Sequence, residues 1–141
     1  MKEKLTVTIR SFSYKKGIPE DKSGNGGGFV FDCRGILNPG RIQEYKTITG
    51  RDKSVIEYLE AQTKISDFLT AAFAMVDISI EDYLARGFSH LEINFGCTGG
   101  QHRSVYSADA MAQHISERFP EVEVVIEHVE QEAKNWVNEA Y

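Results

Sequence analysis

The chain has 141 residues, of which 41% are apolar and 26% charged, an ordinary composition for one soluble globular domain. No apolar run reaches the roughly 18 residues that a membrane-spanning helix needs, and the start Met1-Lys2-Glu3-Lys4 does not introduce a signal-peptide core. We therefore expect a cytoplasmic protein with no membrane partner. The formal net charge of −5 argues against a dedicated nucleic-acid binder, and two cysteines are too few for a disulfide scaffold.

Two short strands and a glycine-rich connection are predicted in the first 40 residues. Residues 5–9 alternate apolar and polar side chains, and residues 29–31 form a second apolar run. The intervening residues 23–28 are mostly glycine and predict a flexible loop. They lack the following helix and the Lys-Ser/Thr pair of a nucleotide-binding P-loop. Residues 37–40 predict a turn.

Residues 54–86 have apolar side chains mostly three or four apart, which predicts helix. Because this stretch is long for one helix, we expect a break at residues 78–82, with Ser79 as the N-cap and Asp82 three residues later. Gly87 is the expected end of the second helix.

The last third of the chain predicts strand, glycine-rich loop, helix and strand. Residues 91–95 alternate, residues 96–104 form the loop, and the following apolar stripe predicts a helix that Pro120 ends. Residues 122–126 predict a last strand, and residues 130–141 a short helix with Trp136 and Val137 docked. We expect a single α/β domain over residues 1–141, with a mixed or partly parallel sheet packed with helices.

The loop at residues 96–104 has the features of an anion site. A helix that begins near Arg103 directs unpaired backbone N–H groups at the turn, and Gly99 and Gly100 let the backbone curl into a nest of donors. Arg103 can add a bidentate contact to phosphate oxygens. Further donors are available from Thr98, His102 and Ser104. The alternative is a tight turn whose glycines serve geometry alone.

Cys97 has a second interpretation. Five residues separate it from Arg103, which is the spacing of cysteine-dependent phosphatases, and a helix N-terminus would lower the pKa of a thiol there. Such an enzyme also needs a general acid, for which Asp32 and Asp52 are the candidates. Otherwise Cys97 is a small residue at a crowded strand end.

Other charged residues allow two interpretations each. Lys15 and Lys16 can reach a phosphate or remain solvated, and Asp32 with Arg34 can form a structural ion pair or contact ligand. No metal site is predicted, because the histidines show no ligand spacing with the cysteines. No cofactor is expected either.

Four stretches resemble the C-terminal domain of the RNase adapter protein family RapZ. Residues 11–17 are similar to its Ser-Phe-x-Phe-Lys-Tyr-Gly, and Phe31-Asp32-Cys33-Arg34 with Asn38-Pro39 to its Phe-Asp-Val-Arg and Asn-Pro segment. Residues 49–55 resemble its Thr-Gly-x-Asp-Lys-x-Val. Residues 96–106 nearly reproduce its Gly-Cys-Thr-Gly-Gly-x-His-Arg-Ser-Val-Tyr. Family members usually have His where this chain has Gly40.

The resemblance implies a domain that senses glucosamine-6-phosphate, binds small regulatory RNA and helps present it to a ribonuclease. It also implies that the family's nucleotide-binding P-loop belongs to a separate N-terminal domain, so we expect no ATP hydrolysis by this chain and a possible kinase or nucleotide-binding protein as partner. Carried over by position, ligand roles fall on six residues: Lys15, Thr98, Gly99, Gly100, His102 and Arg103.

These observations predict a domain that binds a phosphorylated small molecule, such as an amino-sugar phosphate. The predicted ligand-binding residues are Lys15, Cys97, Thr98, Gly99, Gly100, Gln101, His102, Arg103 and Ser104. Supporting contacts are predicted for Asp32, Arg34 and Asn38. The enzyme alternative is a phosphatase that uses Cys97, Arg103 and Asp32. The second alternative is an RNA adapter, for which the acidic tail at residues 127–139 predicts weak RNA binding.

Overall fold

The computed structural model describes residues 4–24 and 27–140. Asn25 and Gly26 of the predicted flexible loop lie outside the described residues. No helix in the described part of the chain is long and apolar enough to cross a membrane. The strands and helices are β1 Thr6–Ser13, β2 Gly28–Asp32, α1 Lys53–Gln62, α2 Ile65–Arg86, β3 His90–Cys97, α3 Arg103–Arg118, β4 Glu123–His128 and α4 Val129–Ala133, with short 3₁₀ helices at Pro39–Arg41 and Gln43–Tyr45.

The four strands form one sheet in the order β2-β3-β1-β4. All three neighbouring pairs are parallel, so the α/β prediction is confirmed and the sheet is parallel throughout the described strands. In the register, Ser13 pairs with Cys97 and Asp32 pairs with Gly96. The carboxyl ends of β1, β2 and β3 therefore lie together at one end of the sheet. This end is the usual position of ligand sites in parallel sheets.

The core lies between the sheet and the helices. Val7, Ile9, Ile93 and Phe95 of the two central strands are fully or almost fully buried. Helix α3 packs on β1, β3 and β4 through its buried apolar side, and α2 packs on α3. Burial of each such side chain stabilises a fold by about 1.5–3 kcal/mol. The packing of α3 on the sheet therefore fixes the start of α3 at the carboxyl end of β3.

The predicted helix break at residues 78–82 is wrong. Helix α2 runs through this stretch without interruption, because Val76 and Ile80, one turn apart, are both fully buried on the same side. The break comes earlier, where Thr63 is extended between α1 and α2. Its hydroxyl donates to the carbonyl of Leu59 and accepts from the N–H of Ile65. The predicted end at Gly87 is confirmed, with a left-handed φ of 74°.

The prediction for the C-terminal tail is wrong in two respects. Helix α4 has only five residues, and positive φ angles at Asn135 (53°) and Trp136 (60°) take the chain out of the helical path. Trp136 does dock, since its ring contacts His128 edge-on at a centroid distance of 5.4 Å. Val137, which follows these two residues, remains 64% exposed and does not dock.

Candidate anion-binding cleft

A cleft of about 310 Å³ opens at the carboxyl ends of β1, β2 and β3. It is lined by Lys15, Asn38, Cys97, Thr98, Gly99, Gln101, His102 and Arg103. Seven of the nine predicted ligand residues therefore lie together, while Gly100 and Ser104 are not part of the lining. Of the predicted supporting residues, only Asn38 lines this cleft. We call it the anion cleft below.

The junction of β3 and α3 has the predicted form. Strand β3 ends at Cys97 and α3 begins at Arg103, so that residues 98–102 make a compact bend between them. The backbone N–H groups of residues 98–105 donate to no acceptor within the described part of the chain. Unpaired N–H groups at the start of a helix favour an anion, because they combine hydrogen bonding with the positive end of the helix dipole.

Arg103 is the central cation of the cleft. Its side chain is buried, with only 4% of the residue exposed, and its Nη1 donates to the carbonyls of Ile36 (2.7 Å) and Arg34 (3.1 Å). Its Nε is buried without a hydrogen-bond partner. No carboxylate lies within ion-pair distance of it among the described residues. A buried cation without a counter-charge is costly, and an anion in the cleft would offset that cost.

Lys15 and Asn38 complete the polar wall from the ends of β1 and β2. Lys15 is exposed, and its backbone N–H donates to the hydroxyl of Ser13 at 3.2 Å. Asn38 caps the first 3₁₀ helix, with its Oδ1 accepting from the N–H of Gly40 at 2.9 Å. This bond leaves the side-chain amide nitrogen of Asn38 available to a ligand.

The side chains of Gln101 and His102 form hydrogen bonds with backbone carbonyls of the protein. The Nε2 of Gln101 donates to the carbonyls of Lys46 and Ile48, both at 2.8 Å. The Nε2 of His102 donates to the carbonyl of Tyr45 at 2.7 Å. Burial lowers the pKa of His102, which keeps its ring neutral near neutral pH. Both residues thus hold the end of the second 3₁₀ helix and the segment after it against the loop.

Gly100 is needed for close packing. Its φ is 63°, and a Cβ there would lie 2.9 Å from the Cβ of Glu130 and 3.0 Å from the backbone nitrogen of Ser13. Its carbonyl accepts from the buried Nε2 of Gln131 at 3.2 Å. The neighbouring carbonyl of Thr98 accepts from the Ser13 hydroxyl at 2.7 Å. The loop is therefore held from below by β1 and α4.

Cys97 and Ser104 contact each other. The Sγ of Cys97 lies 3.1 Å from the Oγ of Ser104, and both residues are buried. The proposed general acid Asp32 forms a bidentate ion pair with Arg34, which lowers the pKa of the Asp32 carboxyl. Asp32 does not line the anion cleft, and neither does Asp52, which accepts from the N–H of Thr49.

Two supporting residues, Ser13 and Gln131, were missed by the sequence analysis. Ser13 belongs to the first quoted motif and could have been suspected as a polar residue at the end of a strand. Gln131 carries no local signal, since it reaches the loop only because β4 packs beside β1. Among the described residues, no cluster of three His, Cys, Asp or Glu could hold a metal ion.

The fold and site define a class: a single α/β domain with a polar cleft where a glycine-rich loop joins a parallel strand to a helix. The sequence profile of the RapZ C-terminal domain matches residues 5–132, and the chain belongs to that family. A nucleotide-binding protein of Xylella fastidiosa (strain M12) is 40% identical over 116 residues, covering 82% of this chain and 38% of its own length.

Other relatives give the same result. A nucleotide-binding protein of Leptothrix cholodnii is 36% identical over 133 residues, covering 94% of this chain and 39% of the relative. One from Endomicrobium trichonymphae is 40% identical over 111 residues, covering 79% and 37%. The chain thus spans less than two-fifths of the length of these curated relatives.

Proposed function

We propose that the chain is a binding and sensing domain for a phosphorylated small molecule, with an amino-sugar phosphate such as glucosamine-6-phosphate as the leading candidate. The observation that carries this proposal is Arg103, a buried guanidinium without a carboxylate partner among the described residues. It stands beside a run of backbone N–H groups that likewise have no acceptor within the described chain. A phosphate would satisfy both sets of donors at once.

The remaining residues of the anion cleft fit this role. Lys15 can neutralise the outer oxygens of the phosphate, and the hydroxyl of Thr98 can donate to it. The amide of Asn38 is suited to a sugar hydroxyl. The cleft volume of about 310 Å³ is at the small end of ligand pockets, which favours a metabolite over a larger ligand.

A ligand screen by thermal unfolding tests the proposal. Glucosamine-6-phosphate should raise the unfolding temperature in a concentration-dependent way, whereas glucosamine at the same concentration should not. At 100 times its Kd a ligand adds about 2.7 kcal/mol to the free energy of unfolding. Nucleotides belong in the screen because the relatives are named nucleotide-binding proteins. The absence of a shift with every sugar phosphate and nucleotide would contradict the proposal.

Catalysis by Cys97 is the second candidate, since this residue lines the anion cleft together with Arg103. Binding is favoured because neither candidate general acid, Asp32 or Asp52, lines the anion cleft, and Asp32 is paired with Arg34. Release of phosphate from an aryl phosphate, lost in Cys97→Ser, would favour the phosphatase instead.

The roles of RNA, partner and compartment are also proposals. An RNA contact would use Lys15, Lys16, Arg34 and Arg41 rather than the acidic tail, and should be weak at about 0.15 M salt because salt screens phosphate contacts. A gel-shift titration measures this. A separate kinase or nucleotide-binding protein in the cytoplasm is the partner that the family relationship suggests.

A further inference from the structure

A second cavity of about 330 Å³ adjoins the anion cleft. It is lined by Arg34, Gly35, Ile36, Leu37, Asn38, Arg41, Thr98 and Arg103. Asn38, Thr98 and Arg103 belong to both linings. The two cavities therefore form neighbouring lobes, with the Arg103 side chain in the shared wall. We call the second one the arginine lobe.

The arginine lobe concentrates positive charge in a chain whose net charge is −5. Its lining contains three arginines and no acidic residue. Arg34 is held in place by the ion pair with Asp32 and by stacking on Tyr14, with its guanidinium carbon 3.8 Å from the ring centroid. Part of its charge is thereby compensated.

Arg41 differs from Arg34. It is exposed, and no carboxylate lies within ion-pair distance of it in the described ranges 4–24 and 27–140. Its backbone is fixed by the N–H that donates to the carbonyl of Asn38 at 3.3 Å. Arg41 lines the lobe, and its guanidinium fork suits a phosphate or a carboxylate.

The arginine lobe is open beside Gly35. A Cβ placed on Gly35 would meet no atom within 4 Å, so the backbone there leaves room for a ligand. A phosphate bound by Arg103, Lys15 and the loop N–H groups would leave Arg41 with no counter-charge from the ligand.

We propose that the arginine lobe is a subsite for a second anionic group, a phosphate or carboxylate, on the same small molecule that places its phosphate in the anion cleft. Glucosamine-6-phosphate would occupy the anion cleft alone, and a sugar bisphosphate or a sugar phosphate that carries a carboxylate should bind more tightly because it fills both lobes. This inference rests on the proposed function of the anion cleft and adds the determinant that selects among its ligands, Arg41.

A pair of ligands that differ by one phosphate tests the subsite. Calorimetric titrations at 0.15 M salt would compare glucose-6-phosphate with glucose-1,6-bisphosphate on the unmodified chain, on Arg41→Gln and on Arg86→Gln. Arg86 is the matched control, because it is an exposed arginine paired with Asp82 on α2, outside both lobes. The bisphosphate should bind about tenfold more tightly than the monophosphate, since one charge-assisted contact is gained.

Arg41→Gln should remove this advantage and leave the monophosphate affinity unchanged, while Arg86→Gln should change neither. Equal affinity for the two ligands, or an equal loss of bisphosphate affinity in both variants, would overturn the subsite and leave the proposed function of the anion cleft standing. If neither ligand nor any other sugar phosphate binds, both proposals fail. A short oligoribonucleotide whose binding depends on Arg41, with no bisphosphate advantage, would assign the lobe to RNA and overturn the inference.

Discussion

Residues 98–104 divide into two groups that the sequence motif does not distinguish. Gly100, Gln101 and Ser104 have bonds or close contacts that hold the loop to the rest of the protein, as does the ring of His102. Thr98, Gly99 and Arg103 line the anion cleft and keep donors for a ligand, among them the Nε of Arg103, which has no partner among the described residues. Gln101 and His102 also line the cleft, but their Nε2 atoms donate to protein carbonyls. A short contiguous motif can thus carry both a site and its support. Substitutions in the first group should act on stability and those in the second on affinity.

Arg103→Ala should have the largest effect of all on affinity. Loss of a charge-assisted contact to a poorly solvated phosphate costs on the order of 2–3 kcal/mol, or roughly 30- to 150-fold in Kd. Titration with glucosamine-6-phosphate measures this, and Arg103→Lys should retain part of the affinity because it keeps the charge.

The matched control is Arg118→Ala, which removes an arginine at the other end of α3 that pairs with Asp77 and Glu81. Its affinity should stay within about twofold, because rim charges far from a site contribute little. Equal affinities for Arg103→Ala and the unmodified chain would place the phosphate elsewhere.

Gln101→Ala should act mainly on stability. The change removes two hydrogen bonds and leaves the carbonyls of Lys46 and Ile48 without that donor, at a cost of about 1–3 kcal/mol in the free energy of unfolding. Gln113→Ala, on an exposed part of α3, is the control and should stay within about 0.5 kcal/mol. Urea unfolding measures both. A Gln101→Ala chain of full stability whose ligand affinity is lost would move Gln101 into the binding group.

His102 should make the ligand-free protein less stable as the pH falls. Because burial lowers its pKa in the folded state, the unfolded chain binds the proton more readily, and stability declines once the pH drops below the unfolded pKa of about 6.5. The decline should level off below the folded-state pKa. Above about 6.5 the ring is neutral in both states and this contribution is absent.

Urea unfolding at a series of pH values, with His102→Gln compared to the unmodified chain, isolates this contribution. The variant should have a shallower slope between pH 7 and 5 than the unmodified chain. Identical slopes for His102→Gln and the unmodified chain would mean that the ring is protonated without penalty.

Cys97→Ser should have the smallest effect. The hydroxyl keeps a hydrogen-bonding group near Ser104, so ligand affinity should change by less than about threefold. A loss of affinity comparable to that of Arg103→Ala would show that the thiol or thiolate itself contacts the ligand.

Alternating side chains predicted strands β1 and β3 correctly, and the motif at residues 96–104 located the loop because all its parts are contiguous. The predicted break at Ser79 failed because a local capping signal was outweighed by burial of Val76 and Ile80 on one continuous side of α2. The sequence indicated Lys15 and Asn38 only as separate candidate residues. Their meeting in one cleft depends on the parallel register, which no local pattern specifies.

The division of roles within the loop was also beyond sequence reasoning. The sequence does not distinguish His102, whose Nε2 donates to the carbonyl of Tyr45, from Arg103, whose Nε has no partner among the described residues. Both are polar residues at the start of a helix, and the positions of the carbonyls of Arg34, Ile36 and Tyr45 determine which of their donors find a protein acceptor.

The contact between Gln131 and Gly100 sets a practical lower limit on the length of a functional fragment. The side chain of Asn138 exchanges two hydrogen bonds with that of Gln131, at 2.8 and 3.1 Å, and so orients the amide that supports the loop carbonyl. The family match ends at residue 132, six residues before Asn138. A fragment cut at that boundary would keep Gln131 and every residue that lines the anion cleft, but it would lose the Asn138 side chain that orients Gln131. Crystallisation or ligand-discovery work on this domain should therefore retain the chain through Asn138.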